Sequence, residues 1–384
     1  MRKIGFAITL ILLLPITAIL ATLGIRFARI SNPGRIGHVA AEVDCFLKEQ
    51  ALELIPKERP ILLLERRRAA NAAFLDLIRT NMTVWDKRWQ KLLFTPLTRL
   101  PTMVLPLGRP VVAINESARY AEVLALWGDR DPVLTIPTEL AAQGAARLQE
   151  MGVPTGAWFV CAHAREDGYS PRDESTHAHR NSSITTYRGA IEAIVAQGGW
   201  VVRVGDRTMT PLEPMPNVID YAVSPYKADW MDIWLCANNR FFLGSNSGLS
   251  KLATVFNKPC ALVNMVPFGD SYGCRHNDIS IPKIVCRKDG SAYPFAEVFA
   301  QGLSTLRFND DYEAAGLVLK TNQEYEITAL VAEMMARLDG RFETTAEDDD
   351  LQMRFRALLT PRDYGFGTTS RLGRDWLRAN ETLL

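Results

Sequence analysis

Apolar residues along this chain recur in blocks whose period switches between two and 3.6, the mark of strands alternating with helices. Ile61 to Glu65 predicts a strand, Ala69 to Ile78 a helix, and Thr102 to Leu107 a second strand. Trp158 to Cys161 reads as a buried strand, followed by a helix with Ile184, Ile191, Ile194 and Val195 on its apolar side. Gly198 and Gly199 stop that helix, and Trp200 to Val204 form the next strand, ending at Gly205-Asp206. After a short strand in VIDYAV comes an amphipathic helix that opens with Asp229 and Asp232. Arg240 to Leu243 is β-prone and bounded by Gly244; Ser245, Asn246, Ser247 and Gly248 then open a helix carrying Leu249, Leu252, Ala253 and Phe256. This succession predicts an α/β fold with a parallel, doubly wound sheet.

Length allows two domains of ordinary size. The divisions expected are a hydrophobic N-terminal helix over 1–30, a first Rossmann-like domain over 31–150, a second over 151–335 and a tail over 336–384. From Ile4 to Ile25 the chain is uncharged and long enough to span a bilayer core. Arg2 and Lys3 precede it, and Arg26, Arg29 and Arg35 follow. An uncleaved anchor is expected, with a cleaved signal peptide as the competing reading. The excess of positive charge after the apolar stretch places the body on the cytoplasmic side of a membrane. The six cysteines show no framework spacing, so disulfides are not required. A net charge of +1 carries no basic nucleic-acid footprint, and no nucleic-acid partner is expected.

A strand feeding a small-residue turn and a helix N-terminus is suited to anions, because unpaired N–H groups and the helix dipole converge there. The turn from Ser245 to Ser250 has that form. Upstream, His163, Arg165 and Asp167 alternate after a buried strand. Alternation puts His163 and Arg165 on one side; Arg165 offers a planar fork suited to a diphosphate, and His163 is expected to donate to the same group. Cys161, His163, His177 and His179 can be written as a zinc set, but Arg165 on the same side as His163 repels a metal, and no metal or cofactor is expected.

HxRxD after a strand, RNSxIxxY, VRxGD, IDYAxSxYxxDWMDIWLC and FFLGSNSGLS together resemble a family of bacterial glycosyltransferases of surface-polysaccharide loci. The C-terminal half is also similar to two groups of the GT-B fold, the fucosyltransferases and the heptosyltransferases. The resemblance covers roughly residues 155 to 265. Lys251 and Asn246 depart from the His and Asp of the heptosyltransferase turn, and an aspartate-rich fucosyltransferase motif is not evident, so no particular sugar is implied.

The resemblance implies two Rossmann-like domains facing a cleft and an enzyme that moves a hexosyl or deoxyhexosyl group from a nucleotide-sugar donor to a glycan or lipid-linked acceptor. Inverting, metal-independent chemistry is expected. The donor would be held by His163, Arg165, Asp167, Arg203, Gly205, Asp206, Asp229, Asp232 and the run Ser245, Asn246, Ser247, Gly248, Leu249 and Ser250. His38, after the Gly34 and Gly37 turn, is the expected base, with Glu42 one helical turn on to orient it and Asp44 behind. Trp85 to Phe94 is basic and aromatic and reads either as cover for the sheet or as a bilayer-interface segment. Two other readings stay open: a nucleotide-sugar epimerase of the same fold, and a non-catalytic scaffold.

Overall fold

The computed structural model describes residues 25–57, 59–96, 117–168 and 171–384, with isolated positions between 11 and 23. The strand expected over Thr102–Leu107 and much of the Ile4–Ile25 segment lie outside the described residues. Among the described residues no helix is long and apolar enough to cross a membrane.

The N-terminal unit runs β1 (Ile25–Ala28), α1 (Ile36–Ala51), β2 (Arg59–Leu63), α2 (Ala72–Ile78), β3 (Thr83–Trp85) and α3 (Arg88–Phe94), followed by α4 (Ser117–Trp127) and α5 (Thr138–Glu150). Its strands pair in parallel in the order β1-β2-β3. Helix α2 starts later than the apolar pattern suggests, because the Asn71 side chain accepts the Phe74 N–H at 2.8 Å and caps it there.

The C-terminal unit holds β4 (Phe159–His163), α6 (Pro171–His177), α7 (Arg188–Ala196), β5 (Trp200–Arg203), β6 (Val218–Ile219), α8 (Asp229–Asn238), β7 (Phe242–Gly244) and α9 (Gly248–Val255). It continues through β8 (Cys260–Met265), β9 (Ile279–Pro282), β10 (Ile284–Arg287), α10 (Phe295–Ala300), α11 (Asn309–Ala314), β11 (Leu317–Lys320), α12 (Glu324–Leu338), α13 (Ala346–Leu358), β12 (Arg371–Leu372) and α14 (Arg374–Ala379). Seven of these strands form one parallel sheet in the order β6-β5-β4-β7-β8-β9-β12. The first six follow the doubly wound dinucleotide-binding order, whose direction reverses between β4 and β7. Strand β4 is buried along its whole length, with Val160 and Ala162 in the core under α7 and α12, and Phe159 and Cys161 in the core under α8. Burial on both faces is why it reads as a continuous apolar run.

The final forty-odd residues, which carried little sequence signal, complete this sheet. Only two residues of β12 pair with β9, but the Gln352 amide of α13 donates to Leu372 O at 2.7 Å and accepts from Leu372 N at 3.1 Å. A side chain thus stands where a neighbouring strand would be.

The two units share a core. Val39, Val43 and Phe46 of α1 pack with Leu252 and Val255 of α9, with Phe256, and with Ile233 and Cys236 of α8. These helices are in direct contact. Helix α1 is buried from Val39 to Lys48, with its polar Glu42, Asp44 and Lys48 enclosed alongside the apolar residues.

Candidate functional site

Ligands of open α/β sheets bind beyond the carboxyl ends of the strands where the strand order reverses. Here that point lies between the end of β4, at His163, and the end of β7, at Gly244. The chain after β7 turns through Ser245, whose N–H donates to His163 O at 3.3 Å. Ser250 then donates its hydroxyl to Ser247 O at 2.8 Å and accepts from Ser247 N at 3.4 Å, which fixes the first turn of α9.

A second helix N-terminus meets this one. A Cβ built on Gly248 would lie 2.9 Å from Gly37 N and 2.6 Å from Ile36 Cγ2; one on Gly37 would lie 3.0 Å from Gly248 Cα. Only hydrogen at both positions lets α1 and α9 approach end to end. Their positive dipole ends therefore converge. The starts of α2 and α8 also meet: Asn71 Nδ2 donates to Asp229 O at 2.8 Å, and Ala72 N to Asp229 Oδ2 at 3.3 Å.

Cations collect at the first junction. Arg180 donates to Asn246 O, inside the turn. Burial, then Arg165, lower its pKa to about 10 despite Asp270, with Arg35 and Arg307 also acting on it. Lys283 Nζ donates to His179 O at 2.9 Å and to Asn181 O at 2.6 Å. Burial, then Arg165, lower its pKa to about 8. Arg165 Nη1 donates to His177 O at 3.1 Å and to Asn181 Oδ1, and stands 3.4 Å from Glu174 Oε1. Arg307 pairs with Asp270 at 3.5 Å. Two carboxylates thus face a larger set of positive groups, and the excess charge favours an anion.

Several polar atoms here have no partner among the described residues. Among the described residues Ser245 Oγ, Ser247 Oγ and Arg180 Nε are buried and make no hydrogen bond; Ser245 is 2% exposed. Beside them Ser182 N donates to Arg165 O at 2.9 Å, and its side chain lies against the Tyr187 hydroxyl. Buried polar atoms are nearly always satisfied, so orphans gathered around a helix N-terminus are suited to meet an anion.

The opposite wall carries His38, in the first turn of α1. Its Nδ1 lies 2.9 Å from Glu42 Oε1 and 3.0 Å from Ser31 Oγ. Glu42 is 1% exposed and accepts from Ser31 N at 2.9 Å and from Ser31 Oγ. The carboxylate holds the proton on Nδ1, leaving the Nε2 lone pair to take another. Asp44 does not join this pair; it accepts from Lys48 Nζ and Tyr120 Oη, both at 2.7 Å.

The remaining expected residues divide clearly. Arg203 is fully buried, with Nη2 3.0 Å from Glu166 Oε1 and Nη1 donating to Thr210 O at 2.7 Å and to Asp220 at 3.2 Å. It braces the β4, β5 and β6 ends. His163 is buried with Nδ1 3.0 Å from Val204 O, and burial lowers its pKa to about 4. The neutral ring spends its N–H on that carbonyl, so Nε2 is an acceptor and the donation to a diphosphate expected from sequence requires a protonated ring. Gly205 lets the Met209 thioether approach: a Cβ there would lie 2.2 Å from its Sδ. Asp206 accepts from Thr208 N at 2.7 Å, and Asp167 is exposed. Asp232 pairs with Lys227, and burial raises its pKa. Leu249 packs into the core beneath the turn. Arg180, Lys283 and Arg307 were missed because they come from three loops with no spacing in common. Among the described residues no group of three or more His, Cys, Asp or Glu is placed to hold a metal.

No family model and no curated protein matches this chain. Among solved structures it is similar to the iron-containing dodecameric heptosyltransferase TibC in complex with ADP-D-β-D-heptose, with 14% identity and a TM-score of 0.34, covering 62% of this chain and 57% of that one. TibC from enterotoxigenic E. coli H10407 gives 15% identity, the same coverages and a TM-score of 0.35. The glycosyl transferase family 9 protein of Veillonella parvula DSM 2008 gives 10% identity over 62% of this chain and 79% of that one, with a TM-score of 0.37. The chain thus spans little more than half the length of TibC. At TM-scores this low the likeness establishes neither a shared fold nor a shared activity.

Proposed function

We propose that the protein is a glycosyltransferase that moves a sugar from a nucleotide-sugar donor to a glycan or lipid-linked acceptor at the cytoplasmic face of a membrane, by inversion and without a metal. The observation that carries this reading is the cluster of orphaned donors and surplus cations at the reversal of the strand order, opposite the His38–Glu42 pair. The donor's diphosphate sits against the start of α9, between Arg180 and Arg165. The acceptor hydroxyl gives its proton to His38 Nε2 while its oxygen bonds to the anomeric carbon. The bond to the diphosphate breaks with its electron pair on the leaving oxygen, where fixed cations and N–H groups lower the barrier.

Thermal shift with nucleoside diphosphates and their sugar conjugates, with and without a chelator, tests the site. A binder raises the melting temperature by mass action. One nucleotide should stand out, indifferent to chelator, and Arg165→Ala should abolish its effect. No response to any nucleotide sinks the reading. A hit followed by sugar transfer to lipid extract, rather than isomerisation of the donor, separates the transferase from an epimerase.

A further inference from the structure

Parallel sheets are covered on both faces. In the three-stranded sheet alternation sends Ala28, Leu62 and Leu64 under α1 and α2, and Phe27, Ile61 and Leu63 to the other face. Among the described residues that second face is roofed by Leu13, Trp85 and Phe94; the Phe94 ring lies 5.4 Å from Phe27 and 4.7 Å from Trp85. The inner side of α3 is spent there. Its outer side is apolar as well, with Trp89, Leu92 and Leu93 at 58%, 67% and 39% exposed. Beside Leu13, Ile11 and Leu12 are exposed too.

The rim of this patch is basic. Arg29, Arg67, Arg68, Lys87 and Arg88 are exposed around it. Burial, then Arg68, hold the Lys91 ammonium of α3 below its ordinary range, with Arg29 and Arg67 adding to the effect and Glu65 opposing it. Arg67 pairs with Glu65, and the cations named here outnumber that carboxylate. The Ile4–Ile25 sequence contains no acidic residue.

The geometry points to this face as the docking surface for a phospholipid bilayer bearing anionic headgroups, with Trp89, Leu92 and Leu93 in the interface and the basic rim against the phosphates. An exposed Trp–Leu side flanked by Lys and Arg is the composition of interfacial helices. Charge complementarity selects the anionic surface, since each basic residue near it adds to attraction. The inference rests on the N-terminal sheet alone and stands whether or not the sugar-transfer reading holds.

Flotation of the full chain with phosphatidylcholine vesicles, with and without phosphatidylglycerol, tests it. Lys87→Gln/Arg88→Gln/Lys91→Gln should lower partitioning onto phosphatidylglycerol vesicles roughly a hundredfold at low salt. Trp89→Ser/Leu92→Ser should weaken binding to both vesicles, and both variants should melt like the parent because the residues lie outside the core. Equal partitioning of the parent onto the two vesicles overturns the proposal, as does a charge variant that binds within about twofold of the parent. A concentration-dependent dimer in sedimentation velocity that Trp89→Ser/Leu92→Ser abolishes overturns it too, giving the face to a second copy of the chain.

Discussion

The two helix N-termini that meet at Gly37 and Gly248 are built to opposite rules. At the start of α1 the His38 Nδ1 and the Glu42 carboxylate find partners in each other and in Ser31. At the start of α9 Ser245, Ser247 and Arg180 keep buried polar atoms with no partner. One helix start is closed by its own side chains; the other keeps polar atoms that the proposed reading gives to a diphosphate. A base must hold one tautomer and one orientation through the reaction, which a closed network supplies. A receptor must instead leave donors unspent and bear the desolvation cost until its ligand arrives.

The contrast breaks most sharply at the closed helix start. His38→Gln should lower kcat by about 10²- to 10⁴-fold, the usual worth of a positioned base, with donor affinity unchanged. A loss of affinity with kcat preserved would move His38 from catalysis to binding. Glu42→Gln should give a smaller loss in kcat and a displaced pH profile, because the amide fixes the tautomer less well.

Two arginines sharpen the comparison further. Arg203 is paired with Glu166 and Asp220, whereas Arg180 meets a backbone carbonyl and keeps Nε unspent. Arg203→Met should therefore cost about 3–5 kcal/mol of stability, since it strands two carboxylates. Arg180→Gln should leave stability nearly unchanged and weaken donor binding by about 1.5–3 kcal/mol. Equal melting temperatures for the two variants in urea and thermal scans would mean that the division between brace and receptor is false.

That division marks the limit of what sequence conveys. Alternation and period located β4, β5, β7, α8 and α9 because each is a local pattern imposed by burial. The turn from β7 into α9 was equally legible, since it is made of consecutive residues. Arg203 was expected in the donor site and Arg180 was not, because what sets each one's surroundings is a partner elsewhere in the chain. The short β12 was hidden for a similar reason: the side chain of Gln352, twenty residues earlier, supplies hydrogen bonds that a longer strand would draw from a neighbour.

His163 tests the back of the cradle through pH. Its folded pKa is about 4, below the 6.5 of a free imidazole, because burial penalises the charged ring. Above pH 6.5 both folded and unfolded forms are neutral and no penalty exists. As pH falls from 6.5 toward 4 the unfolded chain takes up the proton first, so stability declines across that window. The decline from this one group should be on the order of 3 kcal/mol. Urea midpoints measured at steps of pH should show the slope in the parent and lose it in His163→Gln; a slope that survives the substitution assigns the acid sensitivity to other groups.

The smallest effect bears most directly on the other helix start. Ser245 is 2% exposed and its hydroxyl has no partner, so in the free protein it is an uncompensated buried dipole. Replacing such a group by one of similar shape without the hydroxyl removes a cost and loses no bond. Ser245→Ala should thus leave the free protein as stable as the parent or up to about 1 kcal/mol more stable. The same change should weaken donor binding by about 0.5–1.5 kcal/mol, the worth of one neutral hydrogen bond. Opposite signs in the melt and in the titration are what a ligand donor requires. If Ser245→Ala instead destabilises the free protein, the hydroxyl already has a partner there, and the contrast between the two helix starts loses its firmest residue.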